Sequence, residues 1–125
     1  MGYCTRWDGE LDLSRQLTLN EYNELDDLLD RDFKSPSCSY GNAWHSFGIN
    51  RKGTQITTPE DSGKTYYWKE SLQFIIDWLG AKDIKLNGRL KWFGEEAGDL
   101  GKVTVVDSVI TVTDLGAQVR ALMNE

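Results

Sequence analysis

The sequence predicts an α+β fold: a single antiparallel β-sheet with two helices packed on one face, in the order β-α-β-β-α-β-β-β. Three observations predict it. Several segments alternate apolar and polar residues with period two, the mark of strands that bury one face and wet the other. Two segments repeat apolar residues at helical spacing. The strands are amphipathic rather than apolar throughout, which is the antiparallel pattern. The 125 residues read as one domain, with neither an internal repeat nor a linker. A chain of this length buries roughly two-thirds of its unfolded surface, enough for a core.

Tyr3 to Leu13 alternates strictly. Tyr3, Thr5, Trp7, Leu11 and Leu13 share one parity and Arg6, Asp8, Glu10 and Asp12 the other. Gly9 interrupts the apolar row and marks a bulge or a close backbone approach. Thr18 and Glu21 stand at capping-box spacing. Tyr22, Leu25, Leu28 and Leu29 then recur at helical intervals, so a first helix runs from Leu19 to Leu29 or Asp30. Its outer face carries Asn20, Asn23, Glu24, Asp27 and Asp30.

Arg31 to Gly41 reads as a loop, because Pro36, its flanking serines and Gly41 oppose regular structure. Ala43–Ile49 and Thr54–Thr58 read as a hairpin turning at Asn50–Gly53, with Gly53 free to take positive φ. Pro59–Gly63 is a connection. A second helix spans Tyr66 to Leu79, with Gly80 at the C′ position. Apolar residues nearly encircle it, which predicts a central core element. Ile84–Phe93 alternates again, with Lys85, Asn87, Arg89 and Lys91 on the wet parity. After the turn-rich loop Gly94–Gly101, short strands at Lys102–Val106 and Val109–Thr113 meet at Asp107–Ser108. Leu115–Met123 has the spacing of a short terminal helix.

Composition narrows the function classes. Fourteen basic against 20 acidic residues give a net charge of −6. That argues against direct nucleic-acid binding, which needs clustered Lys and Arg. No apolar run approaches the ~20 residues of a membrane span. MGYCTRWDGE has no apolar stretch after its first charge, so no signal peptide is expected. Cys4 and Cys38 could form one disulfide, but without a secretory signal they read as two reduced thiols, and the expected location is the cytoplasm. With two cysteines, no C-x-x-C and a lone His45, no metal site is expected. Neither a phosphate-cradling glycine loop nor a G-x-S-x-G elbow is present, so no cofactor and no catalytic residues are assigned. His45 is in phase with Phe47 and Ile49 and reads as a half-buried strand residue.

The charges fall in three places. Asp8, Glu10 and Asp12 on the first strand would oppose Lys85, Arg89 and Lys91 if the two strands are neighbours, giving a self-neutralising wet face. Leu19 to Asp32 holds six acids against Arg31 alone, and Gly94–Gly101 adds Glu95, Glu96 and Asp99 without a base. These two patches are the candidate partner-binding residues: Glu24, Asp27 and Asp30 on the first helix, and Glu95, Glu96 and Asp99 in the loop. Carboxylates so arrayed imitate a phosphate row and suit a basic groove. Asp83 and Lys85 have residue types found in metal-dependent nucleases, without a supporting pattern. Of the aromatics, Trp7, Tyr22, Trp68, Phe74 and Trp92 are assigned to the core. Tyr3, Tyr40, Trp44 and Phe93 are less easily buried and, beside Arg51, Arg89 or Lys91, could stack on a nucleotide.

Gly2–Leu13 (GYCTRWDGELDL) and Gly94–Val112 (GEEAGDLGKVTVVDSVITV) resemble small bacteriophage and actinobacterial proteins in which a G-E-E-x-x-D-L turn precedes a terminal hairpin. The resemblance supplies no activity and no catalytic residues. It implies a phage-type origin, where short acidic proteins are often inhibitors of host or defence machinery. The expected function is therefore a non-catalytic, phage-encoded inhibitor acting in the host bacterial cytoplasm on a basic host or defence protein, with no membrane and no direct nucleic-acid partner. A homo-oligomer is left open. The rival expectations are a protein that sequesters a signalling nucleotide, a carboxylate-dependent hydrolase, and an assembly protein with an apolar symmetric interface.

Overall fold

The computed structural model describes residues 5–31, 33–34, 42–43, 45–59, 67–96 and 98–116. The alternation in the first segment produces β1 (Thr5–Leu13), which buries Thr5, Trp7 and Leu11 and exposes Arg6, Asp8, Glu10 and Asp12. It is followed by α1 (Leu19–Leu29), β2 (Phe33–Lys34), β3 (Asn42–Ala43), β4 (Gly48–Ile49), β5 (Gln55–Thr57), α2 (Trp68–Ala81), β6 (Leu86–Gly94), β7 (Leu100–Val106) and β8 (Val109–Asp114). Six strands form one antiparallel sheet in the order β4-β5-β1-β6-β7-β8, so the fold is α+β as expected. Among the described residues no helix is long and apolar enough to cross a membrane.

Nine register pairs join β1 to β6, from Thr5 opposite Gly94 to Leu13 opposite Leu86. Apolar rows therefore cross the sheet. One runs Ile49, Ile56, Leu11, Gly88, Val105, Ile110, and a second Gly9, Leu90, Val103, Val112. Leu25 from α1 and Leu72, Ile75, Ile76 and Leu79 from α2 close over this face and complete the core.

The two glycines in those rows have one cause. Gly9 and Gly88 take φ of +124° and +157°, and a Cβ on either would lie 2.1 Å from a backbone oxygen of the facing strand, that of Arg89 or Glu10. Gly9 is thus the close approach expected from its place in the pattern. Gly101 serves differently: the Trp92 indole lies where its Cβ would be.

α1 begins as the spacing predicts. The Thr18 hydroxyl accepts from the Glu21 N–H (3.2 Å) and the Glu21 carboxylate accepts from the Thr18 N–H (2.9 Å). Arg15 donates to both Glu21 oxygens at 2.8 Å. The tip between β7 and β8 also matches. Asp107 and Ser108 both have positive φ, 47° and 67°, as a tight hairpin turn of the primed kind requires. Asn87 Oδ1 accepts from the Asp107 N–H (2.8 Å) and the Ser108 hydroxyl accepts from the Leu86 N–H (3.0 Å), tying this tip to β6.

Four expectations are corrected. The segment expected to be a loop, Arg31–Gly41, contains β2, and β2 pairs with β3 as a separate two-stranded sheet, so the sheet is not single. Two-residue strands are too short to leave a period. The expected strand Ala43–Ile49 is divided, because residues 45–47 leave the ladder: Phe47 is buried in the core and His45 turns to α2. Gly80 is not the C′ residue of α2 but lies within the helix. Asp83, with φ 60°, occupies C′ instead. The Asp83 N–H donates to the Gly80 carbonyl (3.1 Å) and the Ile84 N–H to the Leu79 carbonyl (2.9 Å), a Schellman closure with buried Ile84 beside Leu79. Finally, α2 starts at Trp68, and its apolar ring is only partly enclosed, with Trp68, Phe74 and Trp78 half-buried. Most of the predicted terminal helix, 117–123, lies outside the described residues, as do Tyr3, Tyr40, Trp44 and both cysteines.

Gly88→Ala is expected to destabilise the fold by about 2 kcal/mol or more, through strain at positive φ and collision with β1. Thr18→Ala is expected to cost about 1 kcal/mol. Urea midpoints read both, and a Gly88→Ala midpoint equal to wild type would contradict the close-approach account.

Candidate functional site

The two acidic patches are built differently. On α1, Glu24 accepts from Trp78 Nε1 (3.0 Å) and has Lys82 Nζ at 3.7 Å. Asp27 accepts from Arg31 at 2.6 Å in an exposed i,i+4 pair, and Asp30 is the C-cap residue. The last turn of α1 contains no base, so Asp26, Asp27 and Asp30 crowd the negative end of the helix dipole.

The second patch lies in the loop between β6 and β7. Gly94 N–H donates to the Asp99 carbonyl (2.7 Å) and Asp99 N–H to the Glu96 carbonyl (3.1 Å). Trp92 Nε1 donates to Asp99 Oδ1 (3.2 Å). These bonds close the loop on itself and leave Glu95 and Glu96 exposed. Of the six expected partner-binding residues, Glu24 and Asp99 thus anchor tryptophans, while Asp27, Asp30, Glu95 and Glu96 face outward.

The first turn of α1 lies at the C-terminal end of α2, where Arg15, paired with Glu21, also donates to the Lys82 carbonyl (3.2 Å). Three residues on, Glu24 meets Trp78, four residues earlier in α2. These contacts dock the first half of α1 on the C-terminal end of α2.

The wet face of the sheet places opposite charges in register, Asp8 across from Lys91 and Glu10 across from Arg89. Lys102 stands beside Lys91 on β7, so this face grades from acidic on β1 to basic on β6 and β7. Gln55 donates to Asp12 (2.8 Å), and the Arg6 guanidinium lies 4.8 Å from the Phe93 ring centre.

His45 is half-buried, as expected, but outside a strand. Its Nδ1 lies 2.8 Å from Ser71 Oγ, and its ring packs 4.8 Å from that of Phe74. Burial pushes its pKa below the usual 6.5. Hydroxyl and imidazole at this distance have the spacing of a nucleophile and its base. Ser71, however, is fully buried on α2, where a substrate does not reach it. The bond fastens the 45–47 segment to the helix. Asp83 and Lys85 are exposed beyond the end of α2. No group of three or more His, Cys, Asp or Glu suited to a metal occurs among the described residues.

Two further features were not legible beforehand. Trp7, Trp68 and Trp92 cluster with ring centres 5.2–6.2 Å apart, and Phe47 lies 6.0 Å from Trp7. A groove of about 370 Å³ lies between the start of α1 and the β4–β5 turn, lined among others by Tyr22, Asn23, Arg51 and Lys52. No protein-family model, curated protein or solved structure shows significant similarity to the chain.

Stability is expected to fall as pH drops below 6.5, because the unfolded His45 takes up a proton that the desolvated folded one resists. A second loss is expected as pH falls from 4.5 toward about 2, the value to which the hydrogen bonds from Arg15 and Thr18 hold Glu21. Urea midpoints across this range test both steps. His45→Gln should flatten the first and Glu21→Gln the second; unchanged profiles would reject the assignments.

Proposed function

We propose that the chain is a non-catalytic binding protein that presents carboxylates to a basic surface on another protein. The observation that carries this reading is the acidic last turn of α1. Its first turn obeys every local rule, with capping box, first-turn acid and arginine pair. Its last turn stacks Asp26, Asp27 and Asp30 where the dipole disfavours them, at a typical cost of about 0.3–1 kcal/mol per charge, of which the Arg31 pair offsets that of Asp27. Residues kept against local stability are candidates for function. The Glu95–Glu96 loop supports the same reading, because its internal bonds preorganise a loop that carries two exposed carboxylates. The finer reading, a phage-type inhibitor of a host or defence protein, rests on the resemblance of Gly2–Leu13 and Gly94–Val112 to small phage proteins.

Binding through exposed charge weakens as salt rises and association slows when the charge is reversed. With the chain immobilised, a basic protein captured from bacterial lysate at low salt should elute at high salt. The pairs Glu95→Lys/Glu96→Lys and Asp27→Lys/Asp30→Lys should each lower capture on the order of tenfold with circular dichroism unchanged. Capture that survives both double reversals or resists high salt would reject the proposal.

A second reading has its own observation. The groove beside Tyr22 combines an aromatic ring, Arg51 and Lys52 near the start of α1, the ingredients of a nucleotide site. A thermal-shift screen against linear and cyclic nucleotides tests it, since ligand at about 100 times Kd adds roughly 2.7 kcal/mol of stability. An absence of any shift, or one unaffected by Arg51→Ala, would remove it.

A further inference from the structure

We propose that β8 is the seam of a symmetric dimer, in which two copies of this chain pair edge to edge into one twelve-stranded antiparallel sheet. The sheet has two ends. At one, β4 is two residues long and offers little backbone to a partner. At the other, β8 is six residues long, and among the described residues it pairs only with β7. Among the described residues nothing pairs with the outer backbone N–H and C=O groups of Val109–Thr113, a ladder of the kind natural sheets blunt with lysine, proline or a bulge. β8 has none of these within Val109–Thr113.

Exposed large apolar side chains cluster at the same place. Val109 is 65% exposed, Val106 59% and Val112 39%, and Leu19 is the only other large one among the described residues. Val112 ends the apolar row Gly9–Leu90–Val103, and Ile110 ends the row Leu11–Gly88–Val105. Among the described residues both rows stop at β8.

Symmetry and charge select a second copy as the occupant. Opposed residues of antiparallel strands share a face, so a twofold axis normal to the sheet pairs residues of like parity. A register centred on Thr111 sets Ile110 against the partner copy's valine at 112, and Val109 against its threonine at 113. Both apolar rows then continue into the second molecule. Asp114 falls opposite Ser108, so two chains of net charge −6 meet along a neutral segment with no acid facing an acid. A charged partner strand would find nothing complementary between Val109 and Thr113. This interface is independent of the acidic surface and leaves it free.

The register places Thr111 opposite itself, which gives a sharp test. Sedimentation equilibrium of the full-length chain should show a mass tending to twice 14.2 kDa as concentration rises. Thr111→Lys sits on the wet face of an edge strand, where the fold tolerates it, yet sets two like charges against each other across the axis. It should raise the dimer Kd about tenfold or more. With Cys4 and Cys38 replaced by serine, Thr111→Cys should be joined to its copy by a short thiol crosslinker. Thr104→Cys, one strand inward, should not. A wild-type chain that stays monomeric at millimolar concentration overturns the proposal. So does a dimer that survives Thr111→Lys, or equal crosslinking at both positions. β8 amides slow to exchange in a monomer would place another segment of the chain on this edge and overturn it equally.

Discussion

The structure depends on how closely β1 can lie against β6. These two strands form the centre of the sheet, and their nine-residue ladder sets the register of every apolar row that crosses it. At two points in this ladder a side chain has no room, because the facing backbone oxygen occupies the space, and glycine stands at both. The position those glycines leave open lets Leu11 and Leu90 sit fully buried opposite them. Both helices then pack on a surface whose shape the ladder has determined. The aromatic end follows from the same register, since pairing Trp7 with Trp92 and Trp92 with Gly101 lays one indole over the glycine and brings Trp68 into the cluster.

Around this rigid centre the electrostatics divide into a satisfied part and an unsatisfied one. The sheet's wet face opposes its own charges, and the start of α1 is held by reciprocal hydrogen bonds and an arginine. The other end of α1 concentrates Asp26, Asp27 and Asp30 against a single cation, Arg31, which lies just beyond the helix and pairs with Asp27. Two acids that composition alone groups with them, Glu24 and Asp99, turn out to hold tryptophans in place. The outward negative surface is thus smaller than an acid count implies. It is also better organised, because its loop half is closed by its own hydrogen bonds.

What could be read in the sequence was whatever a short stretch encodes. The alternation of β1 and β6, the Thr18–Glu21 capping box, the turn at Asp107–Ser108 and the special place of Gly9 are each decided within a few residues. Gly80 misled for a local reason too. It is the residue type that favours a helix end, but Ile84 is buried and closes the helix one turn later, with Asp83 accepting the left-handed position. The distant pairings left no local mark. His45 and Ser71 lie 26 residues apart, and Glu24 and Trp78 lie 54 apart. For that reason the acids could be located but not sorted into those that anchor the fold and those that face solvent.

The strand order has a consequence for how the chain is made. β1 is synthesised first, yet both of its neighbours come later, and its long partner β6 ends only at Gly94. As the polypeptide leaves the ribosome, the row of Trp7 and Leu11 must wait without its central partner until β6 has been made. The β6–β7–β8 meander is sequence-local and can assemble quickly. Insertion of the leading segment beside it is the long-range, slow event. A chain arranged this way gains its central ladder only once β6 has emerged, and until then the apolar row of β1 is open to premature association.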